Sequence, residues 1–233
     1  MNPKHILIVG GMSGIGEKLV QKLLDEGHQL ICATRNPQPS THANISTLCY
    51  DAEQPEKLDL PEVLDGVVYC PGSISLKPFQ RLSKEDFKKD MQINFYGAVD
   101  ILQQAQKSLK KSIQASVVLF STVAAQTGMP FHASIASAKA ALEGLTKSLA
   151  AEWSPKIRIN AIAPSLTDTK LASALLSSEE KRKAAAQRHP LKSIGQPRDI
   201  ADLASFLLSD SSKFMTGQII HIDGGMSALQ TFN

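Results

Sequence analysis

Short apolar runs recur along the chain, separated by stretches with helical periodicity. The first run, Ile6, Leu7, Ile8, Val9, carries no charge and does not alternate, which predicts a parallel strand buried on both faces. A glycine-rich turn follows, from Gly10 to Gly16. Leu19, Val20, Leu23 and Leu24 then fall on one helix face, and Gly27 supplies a stop. Strand, turn and helix in this order outline a dinucleotide site. Glycines let the backbone approach a ligand's phosphates, and the free N–H groups of the helix N-terminus attract them. Gly10, Ser13, Gly14, Ile15 and Gly16 are the candidate contacts. The first glycine interval is one residue longer than in GxGxxG, so an ordinary strand-to-helix turn is the alternative.

The same reading continues along the chain. Leu30 to Ala33 predicts a second strand, ending at Thr34, Arg35 and Asn36. In a dinucleotide fold an acid at this place binds the ribose hydroxyls, whereas an arginine pairs with a 2′-phosphate. No acid is present, so Arg35 favours NADP(H) over NAD(H), unless it is merely a solvated loop residue. Ile45 to Tyr50 predicts a third strand ending at Asp51, and Gly66 to Tyr69 a fourth, closed by Pro71 and Gly72. The segment between Asp51 and Gly66 is short for a full helix.

Ser83 and Asp86 are spaced as a helix cap, and Phe87, Met91, Phe95, Ala98, Leu102 and Ala105 continue one apolar face. Asn94 lies on that face, where a buried amide either ties the helix to a neighbour or holds a water or ligand. Val117 to Phe120 predicts a fifth strand that delivers Ser121 and Thr122 to its C-terminal end, the edge where open α/β sheets bind ligands. Ala133 to Trp153 predicts an alanine-rich helix. Its Lys139, set among apolar neighbours, either snorkels to water or binds something polar in the cleft. Ile157 to Ala163 and Gly217 to Ile222 predict the last two strands. Between them Ser177 and Glu180 form a capping-box pattern for a helix to about Gln187, a natural lid, and Asp199 to Leu208 predicts a further amphipathic helix.

Composition narrows the class. At 233 residues and 42% hydrophobic the chain can bury a substantial core, as one α/β domain spanning 1–233. The formal charge of +3 is scattered rather than massed, which implies no nucleic-acid partner. No apolar stretch approaches the roughly 20 residues that cross a bilayer, and the first strand leaves no room for a signal sequence. A cytoplasmic protein is expected, with no membrane partner. Cys32, Cys49 and Cys70 lack the paired spacing of a zinc site and read as buried reduced thiols, with no metal expected.

Taken together, the motifs resemble the short-chain dehydrogenase/reductase family over about Ile6 to Gly225. The matching pieces are the glycine turn, Asn94 with Gly97, the strand-end hydroxyls and Ser137-Ala138-Lys139. The run Ile159 to Pro164, Gly195 with Pro197 and Asp199, and Asp223-Gly224-Gly225 complete them. The resemblance implies a Rossmann-type, doubly wound, seven-stranded parallel sheet with helices on both faces, and a nicotinamide cofactor across the strand ends. It also implies a homodimer or homotetramer acting on a small molecule. Asp51 is similar to the acid that contacts adenine. Thr169 is similar to the threonine near the carboxamide, and the resemblance also implies Gly72, Lys139 and Pro164 as cofactor-binding residues, with a substrate lid at about 165–192. Asn94, Thr122 and Lys139 are the catalytic positions that persist.

The departures are specific. Most members carry a proton-donating tyrosine four residues before the lysine, where this chain has Ile135, and no Tyr-x3-Lys occurs anywhere in it. Tyr69-Cys70-Pro71-Gly72 replaces the usual Asn-Asn-Ala-Gly, and Ser165 replaces a glycine. An alkyl chain supplies no proton. His132, seven residues before Lys139, is a candidate replacement because histidine titrates near neutrality. Three readings stay open: an NADP(H)-dependent oxidoreductase with an altered proton donor, a catalytically inactive nucleotide-binding sensor or partner subunit, and a non-redox lyase or isomerase.

Overall fold

A computed structural model describes residues 3–230. Its seven strands are β1 (His5–Val9), β2 (Gln29–Thr34), β3 (Ile45–Cys49), β4 (Gly66–Tyr69), β5 (Ala115–Phe120), β6 (Ile157–Pro164) and β7 (Ile219–Ile222). They form one sheet in the order β3-β2-β1-β4-β5-β6-β7, and every pairing is parallel. The order reverses between β1 and β4, where the crossovers on either side diverge and leave a crevice at the strand C-termini.

Helices cover both faces, as strands buried on both sides require. On one face α1 (Gly14–Asp25) and α6 (Pro197–Leu208) pack on Ile6, Ile8, Val68, Val118 and Ile162. On the other, α3 (Gly97–Leu109) and α4 (Ala133–Trp153) pack on Leu7, Val9, Val67, Val117 and Ile159. Successive residues of β1 thus serve opposite cores. The remaining helices are α2 (Lys84–Met91), ahead of α3, and α5 (Glu179–Gln187). No helix joins β3 to β4, in line with the short segment there. Among the described residues no helix is long and apolar enough to cross a membrane.

Four expectations need correction. The face from Phe87 to Ala105 is not one helix, because a π turn over Gln92–Tyr96 separates α2 from α3. A contact from β4 accompanies it: the Tyr69 hydroxyl donates to the carbonyl of Ile93 at 2.6 Å, and a side chain at Gly97 would collide with that hydroxyl. The cap of α5 is Ser178, which accepts from Lys181 N. Ser177 instead ends a preceding 3₁₀ stretch, Lys170–Leu176. Cys49 is exposed rather than buried, because β3 is the sheet edge. Strand ends differ from the expected ones by one or two residues. The caps at Ser83 and the bounds of α4 stand as expected.

Candidate active site

The crevice at the β1/β4 reversal is an open cleft of about 530 Å³. Its floor is the glycine turn. Gly10 (φ 77°) and Gly14 (φ 55°) adopt left-handed backbone, which glycine enters without strain. A Cβ at Gly16 would collide with the carbonyl of Gly10, so the first turn of α1 packs directly on the end of β1. Ser13 occupies the N-cap of α1 but makes no side-chain capping bond, which leaves that helix terminus to whatever enters the cleft.

The eleven expected cofactor residues divide clearly. Gly10, Ser13, Gly14, Ile15, Gly16, Arg35, Asp51, Gly72 and Thr169 line the cleft together. Arg35 is exposed at the end of β2. Asp51 holds a turn, accepting from Glu53 N at 2.9 Å. Thr169 starts the 3₁₀ stretch, and its methyl would lie 3.5 Å from a Cβ on Gly14, so the segment 165–192 reaches over the glycine turn. Pro164 ends β6 beside Ile222 and is not part of the cleft wall. His189 anchors the far end of that segment, with Nε2 2.9 Å from the Ser165 hydroxyl and Nδ1 3.0 Å from the Ala185 carbonyl.

Behind Gly72 lies the polar heart of the site. A Cβ on Gly72 would stand 3.4 Å from Asn94 Oδ1 and 3.9 Å from Lys139 Nζ, so both side chains converge on one backbone position. Asn94 is fully buried. Its Nδ2 donates to Ser73 Oγ and to the Asp90 carbonyl, each at 2.8 Å, and the structural alternative is therefore realised without excluding the other. Lys139 does not snorkel. It is buried, its ammonium donates to the Phe120 carbonyl at 2.6 Å, and burial pushes its pKa down to about 8. Desolvation disfavours the charged form, so this lysine titrates near neutrality.

The other expected residues stand apart. Thr122 caps the 3₁₀ turn Val123–Ala125 at the end of β5, accepting weakly from Ala124 N. Its neighbour Ser121 donates to the buried Glu143, which also accepts from Gln126. His132 is the N-cap of α4, with Nδ1 2.8 Å from the Pro130 carbonyl. Seven helical residues rise about 10 Å, so it sits two turns from Lys139. Ile135 is buried one turn before Lys139.

Of the three tyrosines, Tyr50 lines the cleft and Tyr69 and Tyr96 do not. Tyr50 donates to the Gly97 carbonyl, 3.0 Å away, and lies 3.1 Å from Asp100 Oδ2; Tyr69 bonds Ile93, and Tyr96 is exposed. Burial drives the Tyr50 and Tyr69 hydroxyls far above their ordinary range. Sequence reasoning missed Ser73 and Asp90. An aspartate among the apolar positions of α2, one turn before Asn94, was the available signal.

A cleft at a topological reversal, floored by left-handed glycines and a helix N-terminus, defines a dinucleotide-binding α/β protein. A family model described as enoyl-(acyl carrier protein) reductase matches residues 10–227, and the chain belongs to this family within the short-chain dehydrogenases/reductases. A tropinone reductase homolog of Arabidopsis thaliana is 33% identical over 96% of this chain and 92% of its own length. A short chain dehydrogenase family protein from Francisella tularensis superposes with a TM-score of 0.88 at 28% identity, covering 98% of this chain and 100% of that one. ElxO, as a Tyr-to-Phe variant with NADPH bound, gives a TM-score of 0.87 at 27% identity with the same coverage.

Proposed function

We propose that the chain is an NADP(H)-dependent oxidoreductase that moves a hydride to or from a carbonyl carbon or an activated double bond, using a proton donor other than the family's tyrosine. The observation that carries this reading is the convergence of Asn94 and Lys139 on Gly72, at the end of a cleft whose other end is the glycine turn. A nicotinamide cofactor fits these residues, since the glycine turn lines the cleft and the N-terminus of α1 opens onto it without a side-chain cap of its own. Gly10, Ser13, Gly14, Ile15 and Gly16 hold the pyrophosphate, Asp51 the adenine and Arg35 the 2′-phosphate. Gly72, Thr169 and Lys139 hold the nicotinamide end, under a lid formed by 165–192. When bound, the cofactor supplies the hydride.

The protein's own part is to orient the substrate and handle one proton. The Thr122 hydroxyl polarises the carbonyl, and Asn94 fixes the wall behind Gly72. Lys139 is the favoured acid, because it lies against Gly72 and its pKa of about 8 suits transfer near neutral pH. His132 is a second group able to donate, two turns farther along α4. The preference for NADP(H) rests on Arg35 where a ribose-binding acid would stand, with the NADPH of ElxO in support. The protein works on a small molecule, as a homodimer or homotetramer in the cytoplasm.

Ile135 favours one rival, an inactive nucleotide-binding subunit. Oxidation of NADPH by the purified protein across ketones, aldehydes and enones separates the two. Substrate-dependent oxidation supports the oxidoreductase. Tight NADPH binding with no turnover on any substrate supports the rival.

A further inference from the structure

Asp90, on α2, is fully buried and is no part of the cleft wall. Its Oδ1 accepts from the Ser73 hydroxyl, while Oδ2 is buried with no hydrogen-bond partner among the described residues. A buried carboxylate in this condition is costly unless a cation compensates it. The cation whose charged form Asp90 favours is Lys139. No hydrogen bond or ion pair joins the two among the described residues, and the ammonium donates to the Phe120 carbonyl. Between them run two hydrogen bonds, Ser73 to Asp90 and Asn94 to Ser73, and the Asn94 amide oxygen and the Lys139 ammonium both face the Gly72 backbone position.

The surroundings of Lys139 leave little else to play this part. Cys70, just after β4, and Asp90, from α2, are the groups that favour its charged form against burial, and burial pushes the Cys70 thiol up to about 12, which keeps it neutral. Glu143, one turn on along α4, is committed to Ser121 and Gln126. Asp86, also on α2, is committed to Lys77 and the Ser83 cap. From the π turn comes only the neutral Asn94, and from β5 only a carbonyl.

We propose that Asp90 is the positioning residue and counter-charge of Lys139, and that the Ser73–Asn94 bridge fixes the pair so that the Lys139 ammonium delivers the proton a phenol would otherwise give. An N–H bond at Nζ breaks as an O–H bond forms on the substrate oxygen, the hydride coming from reduced nicotinamide. The neutral amine then regains a proton from water, and the Asp90 charge favours that return. The catalytic half of this inference rests on the oxidoreductase reading. The coupling of the two charges does not, and it is measured without cofactor.

The test is a pH titration of the cofactor-free protein by NMR, with lysine labelled at Cε and aspartate at the carboxyl carbon. In the unmutated protein the Asp90 carboxyl resonance should move through the same midpoint as Lys139. A carboxyl signal that stays flat there overturns the proposal. Asp90→Asn removes the charge and keeps the shape, and Asp90→Leu removes the charge and the unpaired oxygen. Both should lower the Lys139 midpoint by about one pH unit or more, whatever each does to stability. An unchanged midpoint in either folded variant would show that Asp90 is structural only. Failure of the oxidoreductase reading would look different, with coupled titrations intact and no turnover on any substrate.

Discussion

At the glycine turn the cleft is made of backbone, and beneath Gly72 it is made of side chains. Gly10, Gly14 and Gly16 work by what they lack, because left-handed φ values and the approach of Gly16 to the Gly10 carbonyl both exclude a Cβ. At the other end Asn94, Ser73, Asp90 and Lys139 work by what they carry, as a buried network behind one glycine. A backbone site tolerates almost any side chain that points away, so it persists when the chemistry changes. A side-chain site can be rewritten by a few substitutions. Ile135, Ser73 and Asp90 all belong to the end that can be rewritten.

The largest effect should come from restoring the family's acid. Ile135→Tyr places a phenol one turn before Lys139, and a positioned acid is worth about 10² to 10⁴ in rate. Reductase activity should rise by about 10²-fold or more in steady-state assays. No gain, with cofactor binding intact, would show that the end beneath Gly72 serves different chemistry. At the backbone end, Gly16→Ala should abolish cofactor binding, read as loss of NADPH fluorescence enhancement, because its methyl has no room against Gly10. Retained binding would break the contrast between the two ends. A smaller effect belongs to Arg35→Ala. Loss of one charge-assisted contact should weaken NADPH binding by about 10- to 100-fold and leave NADH unchanged. Equal weakening of both cofactors would remove the 2′-phosphate role of Arg35.

The two ends also differ in how far they could be read from the chain. β1, the glycine turn and α1 are contiguous, so period, glycine spacing and the Gly27 stop were all legible locally. The strands were legible because burial on both faces forces apolar runs, and α4 because its alanine-rich pattern runs unbroken. The site beneath Gly72 is assembled from β4, α2 and α4, and its decisive contacts join residues far apart in sequence. The π turn is accompanied by the Tyr69 hydroxyl reaching the Ile93 carbonyl, a contact no helical period reveals. Asp90 read as one more polar residue of an amphipathic helix, although it faces inward. Cys49 was misplaced because an edge strand can carry the same apolar run as a central one.

The central claim is that a preserved cofactor seat serves a site whose acid is Lys139, and the pH dependence of carbonyl-dependent NADPH oxidation tests it most directly. Lys139 donates only while protonated, and burial puts its midpoint at about 8. The reduction rate should therefore be level below that pH and fall about tenfold per pH unit above it, and Lys139→Ala should remove the dependence together with most of the rate. A rate that keeps its pH profile and magnitude in Lys139→Ala, or no carbonyl-dependent oxidation at any pH despite NADPH binding, would contradict the account.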